Sequence, residues 1–436
     1  MNIEIITLLM FGTLLILIFS GMSLAWCLGA TAVIFTIAMW GTASLPIMAS
    51  RVFDSGMTYV LIAAPLFIFM AFCLEESGMA EALFGSLYLW CGKLRGGLAL
   101  ATVVICVILA ACTGITATAT VTMAVIALPR MLTCGYNKSL SIGVIASSGG
   151  LGILIPPSVP MVVLAMAGGQ SLGKLFMGGM VAGIFIAVLF TIYVLLMAWL
   201  YPSYCPASEV SATLREKINA SKALIVPFVL IFMVLGFILL GITTPTEAAA
   251  VGGIGSFIYL IFKKRGTISR QKIVEIFHRT SLMSGMVFWI IFGASCFTAV
   301  FNALGSQHLI SSLLVGLDIG PWAIVVFFFI MLFLLGMVLD PIGIIMIAAP
   351  VMSPIILQLG FDATWFGVLF IVFIQLGYVT PPFGYNLYYM KAADRTLKMG
   401  DIFVSVMPFI AIILFAVIFM CIFPQIILWL PSVVMP

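Results

Sequence analysis

The chain has 436 residues, 64% of them hydrophobic and 7% charged, with a formal net charge of +4. A surface so poor in charge cannot be solvated by water, which excludes a soluble globular protein and points to a polytopic protein of the lipid bilayer. Basic residues stand singly or in short loops, so the small positive balance carries no signal for nucleic acid.

At roughly 20 residues per span, the apolar runs suggest about ten to twelve spans. The N-terminus opens MNIEII and meets its first basic residue at Arg51, which does not read as a cleavable signal peptide. Residues 5–20 and 24–41 read as spans joined by Ser20-Gly21-Met22-Ser23, and the stretch from Ser44 to Tyr59, with Arg51, Asp54 and Gly56, as an amphipathic interfacial connection. An apolar run over 60–74 ends at Glu75-Glu76-Ser77-Gly78, and Lys93-Leu94-Arg95 makes a short basic turn.

The run from Leu98 to Leu132 is too long for one straight span, and its middle, Cys112 to Thr120, is rich in threonine. Two half-length helices meeting at a polar tip, a re-entrant hairpin, fit it; the alternative is a pair of full spans whose threonines bond back to their own helix. Residues 141–155 then approach Pro156-Pro157, inside the run GGLGILIPPSVP. Proline removes a backbone donor and clashes with the preceding turn, so the helix breaks there. Segments 159–169 and 174–200 follow, and Tyr201 to Ala220 is a polar loop carrying Arg215 and Lys217.

Residues 222–240 and 244–262 read as spans around the turn 241–247. Thr244 and Glu247 have capping-box spacing and Pro245 suits the first helical position, which explains these residues without chemistry. The loop from Lys263 to Arg279 is the most basic in the chain. An arm-like segment over 280–303 follows, then an apolar segment near His308. A second hairpin, about 322–359, has its tip at Gly336-Met-Val-Leu-Asp340-Pro341. The span 364–378 reaches a second double proline, Pro381-Pro382, within LGYVTPPFG; Lys391 to Asp401 is a polar loop and 402–423 the last span.

The two halves share landmarks in one order. Gly114 precedes Pro129 by 15 residues and Gly336 precedes Pro350 by 14; Gly135-Tyr136 and Gly360-Phe361 follow; Gly152 and Gly377 precede the double prolines at equal spacing. That is an internal duplication. It sets off the segments 1–59, 60–200 (break at 149–158), 201–262, 263–303 (the basic loop with the arm-like segment) and 304–436 (break at 376–386). Broken backbone at membrane depth survives only where protein buries it or it lines a polar cavity. Paired, proline-interrupted segments in matching positions therefore point to a transporter's binding site.

Other chemistry is not visible. The nine cysteines lie mostly in apolar segments without a CxxC, and the two histidines, His278 and His308, belong to no HExxH or paired nucleophile. An intramembrane enzyme would need such a set. Asp340 is an ionisable residue in an apolar region, a functional candidate by default and equally a cap for the helix that follows. Ser158 and Asn386, just past the breaks, could face a substrate or start their helices; Thr118 is a further polar candidate beside the first tip.

The runs APLFIFMAFCLEESGMAEAL, GKLRGGLA, ALPRMLTCGYN, GGLGILIPPS, TPTEAAAVG, LGMVLDPIGI, LGFDATWFGV and LGYVTPPFGYNL resemble the large membrane (permease) subunit, DctM-like, of tripartite ATP-independent periplasmic (TRAP) transporters, with all landmarks in order over nearly the whole chain. The resemblance implies an all-α fold of the ion-transporter superfamily, with two inverted repeats, two re-entrant hairpins and an elevator-type transport domain; it makes 1–59 scaffold helices with a first arm, 60–200 and 304–436 the two transport repeats, 201–262 a loop with scaffold helices, and 263–303 a basic loop with a second arm. It implies secondary uptake of an organic acid (a C4-dicarboxylate, a sialic acid or a related carboxylate) at the bacterial inner membrane. Sodium is the coupling ion and no cofactor is implied. Partners would be a periplasmic substrate-binding protein and a separate four-helix small membrane subunit, since no extra four-span segment precedes this chain. The alternative is a stand-alone sodium/anion symporter of the same superfamily.

The resemblance also implies two sodium sites where the hairpin tips meet the breaks: Thr113, Thr116, Gly152, Ile155 and Pro157 at the first, and Gly336, Gly377, Thr380 and Phe383 at the second, with Asp340 close by. Sodium is a hard cation suited to oxygen donors, which freed carbonyls supply. The family's serine-rich tip is here Thr113-Gly114-Ile115-Thr116; carbonyl ligation tolerates that change, but no hydroxyl can contact substrate at position 115.

The basic-residue distribution assigns loops 201–221 and 263–279 to the cytoplasm and the turn 241–247 to the periplasm. In a cysteine-free background, Thr243→Cys should react with an impermeant maleimide from the periplasmic side; reaction only from the cytoplasmic side would refute this topology.

Overall fold

A computed structural model describes residues 2–207, 213–316 and 320–435. All regular structure among the described residues is helical. Eight of these helices are long and apolar enough to cross a bilayer, or nine if the bent pair Leu214–Lys222 and Leu224–Leu239 forms one span; five shorter apolar helices of 10–17 residues accompany them. The hydropathy count of ten to twelve is thus higher than the number of full-length spans. Several apolar runs, such as Gly97–Thr113 and Ala363–Val379, end at a break instead of crossing on their own.

The two halves follow one order of elements. In the first, helices Ile3–Phe19 and Leu24–Trp40 precede an interfacial helix, Leu45–Gly56, and helices Ala63–Glu76 and Met79–Cys91. A helical hairpin, Gly97–Thr113 with Thr116–Thr133, comes next. A broken helix, Lys138–Gly149 with Val159–Ala167, and the long helix Leu172–Leu200 complete the half. In the second half, Leu214–Ile231 runs through a π-helical turn, Phe232–Gly236, to the antiparallel partner Pro245–Lys263. The arm Arg270–Ala303 and helix Ser306–Gly316 lead to a second hairpin, Pro321–Val338 with Pro341–Gln358. A second broken helix, Ala363–Val379 with Tyr385–Ala393, and the helix Met399–Ile422 follow.

Local chemistry sets these boundaries. Thr244 and Glu247 form the expected capping box: Glu247 accepts from the Thr244 N–H at 2.7 Å and Thr244 accepts from the Glu247 N–H at 3.3 Å. Thr213 and Glu216 form another, so helix begins inside the stretch read as a loop from 201 to 220; residues 208–212 of that stretch lie outside the described ones. The basic loop is likewise shorter than expected. Ser269 caps the Lys272 N–H at 3.2 Å and the arm starts at Arg270, putting Lys272 and Arg279 on helix. The arm has 34 residues, about 50 Å at 1.5 Å per residue, and overruns a roughly 30 Å hydrocarbon core. Past the last expected span, Gln425–Val434 forms one more short helix.

Small residues let the long helices approach. A methyl group built at Gly293 would lie 2.4 Å from the Ala25 carbonyl oxygen, and one at Gly29 would lie 3.9 Å from Gly293 Cα. The arm and Leu24–Trp40 thus cross at backbone contact, the mode by which membrane helices associate without a hydrophobic drive. Trp26 stacks on Trp289 at 5.6 Å beside that crossing. At the basic end, Glu75 pairs with Arg279 at 3.0 Å and Glu76 with Lys272 at 2.6 Å, tying Ala63–Glu76 to the arm. Gly12, by contrast, has nothing within 4 Å of its would-be methyl group.

Gly293→Leu should therefore lower the unfolding temperature of the detergent-purified chain, with an overpacking cost of about 1–3 kcal/mol or more, while Gly12→Leu leaves it unchanged. Equal melting curves for the two variants would contradict this crossing.

Candidate functional site

Each break is pressed against a hairpin tip. In the first half, Gly114 ends its helix in the left-handed region at φ +61°. A methyl group there would meet the Pro157 carbonyl oxygen at 2.2 Å, and one on Gly152 would lie 3.0 Å from the Thr116 nitrogen. The tip (113–116) and the break (152–157) are thus in backbone contact, which brings together the first candidate set. Thr113 is buried and its Oγ1 donates to the Leu109 carbonyl at 2.8 Å. Thr116 is also buried, and the Ile155 side chain packs on Gly183.

In the second half, a methyl group on Gly377 would lie 2.6 Å from the Gly336 carbonyl carbon and 2.9 Å from the Phe333 oxygen. Helices Pro321–Val338 and Ala363–Val379 therefore cross at those two glycines. Thr380, at the end of the second helix, donates its Oγ1 proton to the Leu376 carbonyl at 2.6 Å. Phe383 keeps its side chain half exposed, which leaves its carbonyl as the group able to serve a site. Asp340 caps the return limb of the hairpin: its Oδ2 accepts from the Ile342 N–H at 3.2 Å and the Gly343 N–H at 3.3 Å.

Between the two tips lies a cavity of about 150 Å³. Ile115, Thr116 and Ala117 line it from the first hairpin, and Ile153, Val159 and Pro160 from the first break. Asp340, Pro341 and Ile342 line it from the second hairpin, and Tyr378, Tyr385 and Tyr389 from the second break. Ile68 and three arm residues, Met283, Met286 and Val287, close it. Four helices thus begin at its wall, with N-caps Ile115, Ser158, Asp340 and Gly384. Helix N-termini carry a partial positive charge and free N–H donors. Ser158 and Asp340 use their side chains to cap their own helices, whereas Ile115 and Gly384 supply no side-chain cap.

The polar candidates separate accordingly. Asp340 lines the cavity while acting as a cap, so both readings of it meet in one geometry. Ser158 is fully buried; it accepts from the Met161 N–H at 3.4 Å and donates to the Ile153 carbonyl at 2.6 Å. That is a helix-start role, and the side chain is not at the cavity wall. Thr118 faces a neighbouring cavity with Phe72, Ile115, Arg279, Leu282 and Met283. The Arg279 guanidinium there is paired with Glu75 and lies 4.2 Å from the Phe72 ring centre.

Asn386 also departs from a substrate-facing position, and sequence reasoning missed why. It is fully buried, accepts from Thr120 Oγ1 at 2.9 Å and donates to the Ala146 carbonyl at 2.6 Å. One amide therefore joins the second break to the first hairpin and the first broken helix. The tyrosines were missed as well. Tyr385 and Tyr389 are one turn apart beside the second double proline, and Tyr385 donates to the Val338 carbonyl at 3.3 Å, clasping break to tip. Three tyrosines flanking a helix break were the available signal.

The chain matches known proteins over nearly its full length. The family described as Tripartite ATP-independent periplasmic transporter, DctM component, matches residues 11–426. The C4-dicarboxylate TRAP transporter large permease protein DctM of Pseudomonas aeruginosa is 30% identical over 397 residues, covering 91% of this chain and 92% of that one. The ectoine TRAP transporter large permease protein TeaC of Halomonas elongata is 30% identical over 383 residues, covering 85% and 86%. Among solved structures, the YdaH transporter of Alcanivorax borkumensis shares the fold, with a TM-score of 0.65 at 15% identity over 88% of this chain and 90% of that one. The extent of the family match, together with these relatives, establishes that the chain belongs to the DctM component family of TRAP transporters, as a multi-pass large permease.

Proposed function

We propose that this permease takes up an organic acid, a C4-dicarboxylate or a related small carboxylate, across the bacterial inner membrane by sodium symport. A periplasmic binding protein delivers the cargo, and a small four-helix membrane subunit completes the assembly; the family's description as tripartite and periplasmic supports both. The cargo occupies the cavity between the hairpin tips. The two repeats have inverted topology, and hairpins and breaks move together past the scaffold as an elevator.

The observation that carries this reading is the apposition of each tip to its break, Gly114 against Pro157 and Gly336 against Gly377. Helix breaks release carbonyl oxygens that water cannot reach. Sodium fits that donor set. The hydroxyls of Thr113 and Thr380 give their protons to their own helices, which leaves oxygen lone pairs to face a cation. Thr113, Thr116 and the carbonyls of Gly152, Ile155 and Pro157 form the first site; Thr380 and the carbonyls of Gly336, Gly377 and Phe383 form the second, with Asp340 adding negative charge nearby. The carboxylate of the cargo is met by the uncapped N-termini at Thr116 and Tyr385, and sodium offsets its charge.

Two experiments test this. Thr380→Val removes a ligating oxygen at nearly constant volume, a loss of about 1–3 kcal/mol. It should shift the sodium dependence of uptake to higher concentration by about tenfold per 1.4 kcal/mol, with Thr380→Ser close to wild type. Thr113→Val should act likewise, and Thr267→Val in the basic turn should be silent. Wild-type sodium curves for both threonine-to-valine variants would remove these side chains from the sites. In proteoliposomes, uptake should also require the binding protein and the small subunit; full-rate uptake by this chain alone would refute the tripartite assignment.

A further inference from the structure

At the end of the bundle that carries the basic loops, Met79–Cys91, Leu214–Ile231 and Pro245–Lys263 line a second, open cavity of about 690 Å³. Lys222 and Lys263 both line it, with Asn219 and Tyr259 beside them. No acidic side chain lines it, and neither lysine has an ion-pair partner among the described residues. Two neighbouring acids are engaged elsewhere. Glu75 and Glu76 hold the arm. Glu81 does not line the cavity; its carboxylate lies beside Gly78, 3.6 Å from where a methyl group on that glycine would be.

Ser86 is an independent pointer. It lines the same cavity and is 1% exposed, yet its hydroxyl has no hydrogen-bond partner among the described residues. Helix-borne serines and threonines here commonly bond back to a carbonyl, as Ser256 and Thr102 do. A buried hydroxyl left unbonded costs free energy that a ligand oxygen would recover. Beyond the lysines the wall turns apolar, with Leu89 and Val226. On the adjacent surface, Trp90 donates to Ser221 Oγ at 2.8 Å and carries the Lys217 ammonium 5.4 Å from its ring centre, the aromatic and basic dress of a membrane–water interface.

We propose that this cavity is a binding site for an anionic phospholipid. Lys222 and Lys263 hold the phosphate charge, Ser86 and Asn219 donate to the headgroup oxygens, and Leu89 and Val226 receive the first part of an acyl chain. Charge complementarity selects this occupant: two ammonium groups over an apolar wall, between spans at the basic end, match an anionic headgroup with a chain attached.

The test uses the full chain in detergent and native mass spectrometry of bound lipid, with phosphatidylglycerol, phosphatidylcholine and inorganic phosphate as probes. Each lysine should contribute about fivefold to affinity, so phosphatidylglycerol should bind about twenty-five-fold more tightly than phosphatidylcholine. Lys222→Gln with Lys263→Gln should abolish that preference, Ser86→Ala should weaken phosphatidylglycerol binding, and Lys93→Gln should change nothing. If the double variant does not fold, the single variants should each lose about fivefold. Equal binding of the two lipids, or a preference that survives loss of both lysines, would overturn the proposal. So would displacement of phosphatidylglycerol by millimolar inorganic phosphate, which would make the ligand a free anion. Exclusion of the lipid by an added small membrane subunit would do the same, making the cavity a subunit contact.

Discussion

Interrupted backbone inside a hydrocarbon layer must find partners within the protein, and the centre of this structure is arranged around that requirement. Two double prolines stop two helices at depth, and no water of the bilayer core is available to the exposed amides and carbonyls. The chain presses a hairpin tip against each break. The approach is too close for any side chain at the contact: a methyl group on Gly114 or Gly377 would penetrate the backbone of the facing segment, at 2.2 and 2.6 Å. Gly114 has a second reason to be glycine, since it ends its helix at positive φ. These glycines are consequences of one constraint, that a hairpin and a broken helix share one small volume in each half.

The polar side chains near the centre serve the same end. Asp340, Ser158 and Asn137 cap the helices that restart after turns and breaks. Thr113 and Thr380 return their protons to their own helices at the last turn. Asn386 then connects the halves through Thr120 and the Ala146 carbonyl. A fully buried amide that spans three segments resists displacement of any one of them, because breaking it leaves a donor and an acceptor unsatisfied in an apolar medium. Tips and breaks are thereby joined into one body. At the basic end the arm is attached to Ala63–Glu76 by its ion pairs with Glu75 and Glu76.

Much of this was legible along the chain. Composition specified a membrane protein, and the repeated glycine and proline landmarks located both breaks and both tips. The Thr244-Pro245-Thr246-Glu247 run marked a helix start with its capping box. Asp340 was legible as a residue with two possible roles, and the structure shows the cap. Other elements were not. The arm begins at Arg270 because Ser269 caps it, yet the surrounding lysines and arginines read as loop. Gln425–Val434 follows what looked like the last span.

The sequence by itself determined the solvent, the places where helices stop and restart, and the family. All of these depend on residues close together in the chain: a double proline, a cap with its first-turn partner, an apolar run of a given length. Which segments face one another was decided by the tertiary structure. Thr120 and Asn386 are 266 positions apart, and the tyrosines reach the cavity only because the second break folds against the second tip. The physical reason is the solvent. In a bilayer the lipid-facing and core-facing sides of a helix are both apolar, so the periodicity that marks the buried face of a soluble helix is absent. The pairing is left to close glycine contacts and a few buried hydrogen bonds, which only the folded chain brings together.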